Sequence, residues 1–137
     1  GLVHPHVHNE IGWWPVHFSP QIEGSLLKGV PQTVHLFEFH GDTFTLPLGV
    51  KLLASSEGCE NQAFIYNDRV LAVQFHPEVS VENMKVLAQA VGNVEGPYSQ
   101  PATYYLNEQA NFEQSKQVMF TILCNFKEQI KGVEVIL

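Results

Sequence analysis

The hydrophobic pattern of this chain changes period once, at His76-Pro77-Glu78, and that change divides what it can build. Ahead of it, residues 34–39 (VHLFEF), 50–55, 63–66 and 70–75 are short runs of strand-forming residues. Turn formers separate them: His40-Gly41-Asp42 reads as a turn, and Asn67-Asp68-Arg69 as the tight turn of a hairpin. Residues 3–16 read as extended structure with turns at Pro5 and Gly12. Closely spaced strands with short connections imply a largely antiparallel region. Beyond residue 78, Val81, Met84, Leu87, Ala88 and Val91 recur at helical spacing, with Ser80 as N-cap and Gly92 as the stop. Residues 93–110 read as a polar connection. A second helix is predicted from about residue 112 to 131, stopped by Gly132. Its centre, residues 118–124 (VMFTILC), is apolar almost all round, the mark of a helix buried on more than one side or packed on a partner.

With 45% hydrophobic and 11% aromatic residues in 137, the chain has enough apolar surface for one packed domain, read as spanning residues 1–137. Charged residues make up only 15%, against roughly 25% in an ordinary soluble domain, so part of the surface is expected to be covered by another body. The formal charge is −7, and Lys and Arg form no stripe that would follow a nucleic-acid backbone. No apolar run approaches the ~20 residues that span a bilayer. Cys59 and Cys124 stand in unlike contexts and imply no disulfide framework, so a reducing, cytoplasmic setting is expected. His4, His6 and His8 alternate as a metal site requires, but Pro5 interrupts them and only Glu10 stands near. They read as a solvated turn, and neither metal nor cofactor is expected. Trp13 and Trp14 read as core and rim.

Chemistry concentrates in residues 70–78 (VLAVQFHPE). Strand alternation puts Gln74 and His76 on one face and Val73 and Phe75 on the other. Pro77 cannot donate to a ladder, so the strand should end there and present His76 at its carboxyl end. Glu78 lies close enough to hydrogen-bond the imidazole and set its tautomer. A histidine held by a carboxylate is a general base awaiting a nucleophile.

This block resembles the signature of the class I glutamine amidotransferases, in which a strand ends in Gln-Phe-His-Pro-Glu. The resemblance extends to Glu10-Ile11-Gly12-Trp13 with Pro15-Val16, to Phe39-His40-Gly41-Asp42-Thr43-Phe44 with Leu46-Pro47, and to Ala54-Ser55-Ser56, Cys59 and Gln62-Ala63-Phe64, in the family's order. It covers residues 1–80 closely and is nearest to stand-alone proteins akin to the amidotransferase domain of GMP synthase. The family's fold is a flavodoxin-like α/β sandwich. From it this chain is expected to supply part of a mixed sheet, comprising an antiparallel subsheet and one central strand (residues 70–75), and C-terminal helices. The resemblance implies hydrolysis of glutamine's side-chain amide through a cysteinyl thioester, with ammonia passed to a synthase partner. His76 and Glu78 take the catalytic roles of base and orienting carboxylate, and His40, Gly41 and Asp42 line the glutamine pocket.

The sequence also departs from the family. The nucleophile elbow, Gly-x-Cys-x-Gly, does not occur in it, and the neighbours of Cys59, Gly58 and Glu60, do not make one. The expectation is therefore a C-terminal portion of an amidotransferase domain, inactive on its own, whose uncovered strand edge favours homodimerisation. Two other readings stay open: a related Cys-His hydrolase of γ-glutamyl compounds, and a non-catalytic binding or regulatory module on the same scaffold.

Overall fold

The computed structural model describes residues 1–20 and 26–131. Five strands run in a meander-like sheet: β1 (Val3–Phe18), β2 (Thr33–Phe44), β3 (Val50–Ser56), β4 (Ala63–Tyr66) and β5 (Val70–Val73). Their spatial order is β2-β1-β3-β4-β5, and every neighbouring pair in it is antiparallel. Helix α1 (Val81–Val91) follows, then a two-residue strand β6 (Tyr98–Ser99), a single-turn helix α2 (Ala102–Tyr105) and the long α3 (Gln109–Lys131). β6 joins β1 in parallel, which makes the sheet mixed. No helix among the described residues is long and apolar enough to cross a membrane.

The period change at residue 77 appears as expected, and several local details are met. Ser80 caps α1 by accepting from the Asn83 N–H, and Gly92 ends it at φ 70°. Asn67 and Asp68 both adopt positive φ, 48° and 55°, at the centre of the hairpin turn that the Arg69 N–H closes on the Tyr66 carbonyl.

Other expectations are corrected. His40-Gly41-Asp42 is not a turn but the continuation of β2, because β1 supplies partners for it: Glu10 lies opposite His40 and Pro5 opposite Asp42. A register shift between Pro5 and Glu10 absorbs the extra residues on the β1 side. Gly41 leaves room there for the Asn9 side chain, whose amide oxygen a Cβ would displace. Likewise β1 does not turn at Pro5 or Gly12 but runs through both. Gly12 sits within the strand at φ 111°, where a Cβ would collide with Gln100. β5 closes at Val73 rather than residue 75. It pairs only with β4 among the described strands, and so lies at the sheet's edge rather than its centre. Residues 93–110 hold β6 and α2, and α3 begins at Gln109. Its expected stop, Gly132, lies outside the described residues.

Strand alternation sorts the apolar side chains into two clusters. Val16 and Phe18 of β1, Val34 and Leu36 of β2, and Leu53, Ala54, Ala63 and Ile65 of β3 and β4 pack with Phe75 and with Val118 and Ile122 of α3. Trp13 and Phe37, opposite one another in register, pack with Met84 of α1 and Tyr105 of α2. The Trp13 indole N–H donates to the Tyr105 carbonyl at 2.9 Å, so this large ring is buried with its polar atom satisfied. α3 is thus docked by one stripe only. Phe120, Leu123 and Ile130 on it remain exposed, and Phe120 and Leu123 help line an apolar groove of about 670 Å³ with Val73, Pro77, Val81 and Met119.

The two sides of α3 therefore differ in what they contribute. Ile122→Ala, at 1% exposure, should destabilise the chain by about 2–5 kcal/mol. Phe120→Ser, at 59% exposure, should stay within about 0.5 kcal/mol. Urea denaturation of the two variants against the parent checks this.

Candidate functional site

The first candidate group forms where β5 gives way to α1. Beyond Val73 the chain crosses towards β2: the Gln74 N–H donates to the Gln62 carbonyl at 2.8 Å, and the His76 N–H to the Phe37 carbonyl at 2.7 Å. Phe75 points into the core and is buried, as alternation requires, while His76 is left at the surface. Pro77 then breaks the extended run, and the turn brings Glu78 back so that its Oε1 lies 2.8 Å from His76 Nδ1. With a carboxylate there, Nδ1 carries the proton and donates, which leaves Nε2 as the basic nitrogen. The pair is open to solvent, with side chains 42% and 70% exposed. It lines a surface hollow of about 360 Å³ with Val79, Asn83, Val86 and Leu87.

His40 lies elsewhere in role. Its ring is held against β1 and its own strand, with Nε2 3.3 Å from Glu10 Oε2 and 3.3 Å from Glu38 Oε2. Nδ1 lies 2.9 Å from the Asp42 carbonyl, to which it donates. Asp42 itself is exposed and Gly41 packs against Asn9. No hydrogen bond or ion pair among the described residues joins His40, Gly41 or Asp42 to His76 or Glu78.

Glu10 and Glu38 join His40 in a buried cluster that the sequence alone did not reveal. Both are buried, at 1% and 0% exposure. Glu10 is well supported: Ser56 Oγ donates to its Oε1 at 2.7 Å and Gln62 Nε2 to its Oε2 at 2.7 Å. Burial pushes the Glu38 carboxyl up to about 7. Burial also opposes charge on His40, but the two glutamates outweigh it and hold the imidazolium up to about 10. The one signal available was an acidic residue inside the apolar run 34–39, two residues from His40 and so on its face of the strand.

Cys59 is buried, as expected of a small core residue. Its Sγ lies 3.2 Å from Thr43 Oγ1 and 3.4 Å from Gln74 Nε2. Cys124 is exposed on α3. His4 and His8 are exposed and His6 half-buried, with His6 and His8 edge to face at 6.3 Å.

With this geometry in place, comparison with known proteins decides the family. The family model of glutamine amidotransferase class-I matches residues 7–91, which carry most of β1, all of β2 to β5, α1 and both candidate groups. The chain belongs to the class I glutamine amidotransferase family. It is 35% identical over 99 residues to imidazole glycerol phosphate synthase subunit HisH of Microcystis aeruginosa, covering 69% of this chain and 44% of that protein. It is 42% identical over 74 residues to a glutamine-hydrolyzing GMP synthase subunit of Thermoplasma volcanium, covering 53% of this chain and 36% of that one. In fold, 93% of the chain superposes on a glutamine amidotransferase from Methylobacillus flagellatus with a TM-score of 0.83 at 21% identity, and on one from Thermotoga maritima with a TM-score of 0.75 at 25% identity. It spans 55% of each of those two chains, and less than half of the two curated relatives. The fold is thus a portion of the α/β class I amidotransferase fold.

Two substitutions probe the two groups. In Glu78→Gln the carboxylate that holds the Nδ1 proton is lost, so long-range nitrogen–proton NMR spectra of neutral His76 should show a shift from the Nδ1–H tautomer towards Nε2–H. Ser56→Ala leaves Glu10 Oε1 buried without its donor and should cost about 1–3 kcal/mol in urea denaturation.

Proposed function

We infer that this chain carries the base half of a glutaminase site, in which His76 and Glu78 serve a cysteine nucleophile supplied outside this sequence. The observation that carries the reading is the 2.8 Å contact between His76 Nδ1 and Glu78 Oε1, on the segment where the family match lies. In the reaction proposed, His76 Nε2 takes the cysteine thiol proton and the thiolate attacks the glutamine amide carbonyl. The tetrahedral adduct collapses to a thioester as His76 returns the proton to the departing nitrogen, which leaves as ammonia. Water activated by His76 then adds to the thioester, releasing glutamate and regenerating the thiol. Glu78 keeps the imidazole in the required tautomer and stabilises its charged form.

The chain alone lacks a suitable nucleophile. Cys59 is buried beside Thr43 and Gln74, and no Gly-x-Cys-x-Gly elbow occurs in the sequence. We therefore propose that these 137 residues by themselves release no ammonia from glutamine. His40, Gly41 and Asp42 are proposed to border the glutamine pocket through backbone groups, since the His40 ring is engaged by Glu10 and Glu38. The relatives named as synthase subunits support a synthase as ammonia acceptor. The β5 edge supports a homodimer, which sedimentation at high concentration tests directly.

The decisive assay is ammonia release from glutamine by the protein as its whole reading frame encodes it. His76→Ala should lower kcat by about 10²–10⁴-fold, and parental activity in that variant would remove His76 from the chemistry. Turnover of γ-glutamyl peptides without turnover of free glutamine would instead favour the γ-glutamyl hydrolase. A reading frame without a Gly-x-Cys-x-Gly elbow would favour the non-catalytic module.

A further inference from the structure

We propose that Glu10, Glu38 and His40 form a binding site for one first-row divalent cation, of which Zn²⁺ is the representative, pinning β1 to β2. The strand register creates the juxtaposition: Glu10 lies directly opposite His40, and Glu38 lies two residues from His40 on the same face. Each residue offers one ligand atom, and the three atoms lie within 4.8 Å of one another.

An acidic cluster alone would not amount to a site. Here the buried atoms also lack hydrogen bonds, and ion-pair contacts at 3.3 Å are all that joins them. Glu38 is 0% exposed, yet neither of its carboxylate oxygens makes a hydrogen bond. His40 Nε2 makes none either, because its 3.3 Å contacts to the two carboxylates lack hydrogen-bond geometry. Buried carboxylates are normally paired, hydrogen-bonded or bound to a metal. Here the His40 ring alone stands in that place, 3.3 Å from Glu38 Oε2, and a cation between the three residues would displace the proton on its Nε2.

The spacing fits such a centre. Tetrahedral zinc holds nitrogen and oxygen ligands at about 2.0–2.2 Å, which places neighbouring ligand atoms about 3.3–3.6 Å apart. The two His40 Nε2 to carboxylate distances are both 3.3 Å. The next layer of contacts is the kind that orients metal ligands. His40 Nδ1 donates to the Asp42 carbonyl, which aims Nε2 inward, where a cation would take the place of its proton. Ser56 and Gln62 fix both oxygens of Glu10. The glycine at 58 lets the backbone close over Glu10, since a Cβ there would stand 2.9 Å from Oε1. Once the Nε2 proton is released, two carboxylates and a neutral imidazole balance a dication. One nitrogen and two oxygens suit Zn²⁺ or Co²⁺ better than Ca²⁺, which takes 6–8 oxygen ligands.

The test uses the full-length protein freed of metal with a chelator and then titrated with Zn²⁺ or Co²⁺. Calorimetry should show one equivalent bound, and the Co²⁺ form should show the visible band of a tetrahedral nitrogen–oxygen site without thiolate charge transfer. Loss of even an outer-shell partner weakens metal sites by about 10–100-fold, so Glu38→Gln should weaken this one by at least ~100-fold. His6→Ala/His8→Ala, which removes two histidines outside the cluster, should leave affinity and stoichiometry unchanged. If Glu38→Gln does not fold, anomalous scattering from Zn²⁺-loaded crystals of the parent locates the ion. No binding by the folded parent at micromolar Zn²⁺, undiminished binding by Glu38→Gln, or an ion located away from the three residues would each overturn the site. So would an imidazolium N–H on His40 that persists at saturating Zn²⁺, because the proton would then be the occupant.

Discussion

The ladder between β1 and β2 is the constraint on which the other elements depend. β1 also pairs with β3 at its end and with β6 at its middle, so one strand touches three others. β2 in turn supplies the Phe37 carbonyl that receives the His76 N–H. A one-residue slip of β1 against β2 would send Trp13 and Phe37 to the wrong face and take Glu10 away from His40. It would also shift the carbonyl that locates His76. Core packing, the buried charge cluster and the position of the candidate base are therefore consequences of a single register.

That register is held from both sides. Val16, Val34 and Leu36 pack beneath α3, and Trp13 and Phe37 pack against α1 and α2. Gln100 adds a polar clamp: its side chain accepts from the Trp13 N–H at 2.8 Å and donates to the Trp13 carbonyl at 2.9 Å. This uses the backbone groups of β1 that face away from β2, where β6 supplies only a two-residue partner. The Gln100 side chain needs the space beside Gly12, which accounts for a glycine in mid-strand.

Parts of this architecture were legible because their causes are local. A serine before a helical period and a glycine after it are sufficient to bound α1, and Asn67-Asp68 is sufficient to turn the β4–β5 hairpin. The His76–Glu78 contact was legible too, since two residues on either side of a proline have little freedom in where they meet. The misreadings have a common origin. Gly41, Gly12 and Pro5 are turn formers by local preference, but each lies in a strand, because a distant segment pairs with it or presses against it. β6 escaped notice for the same reason: two residues carry no period, and only β1 makes them a strand.

The sequence by itself determined which family scaffold this chain adopts, where strands give way to helices, and that a histidine would meet a carboxylate at that boundary. These follow from neighbours within a few residues, whose preferences and spacing act before the chain folds. Only the tertiary structure decided that Glu10, Glu38 and His40 share one buried cluster. Glu10 is far from the other two along the chain, and the free energy that places it there comes from the packed faces of the β1–β2 ladder rather than from attraction among the three groups. Burying two carboxylates beside an imidazole opposes folding unless their partners are in place, and no local pattern records that a remote core will enforce it.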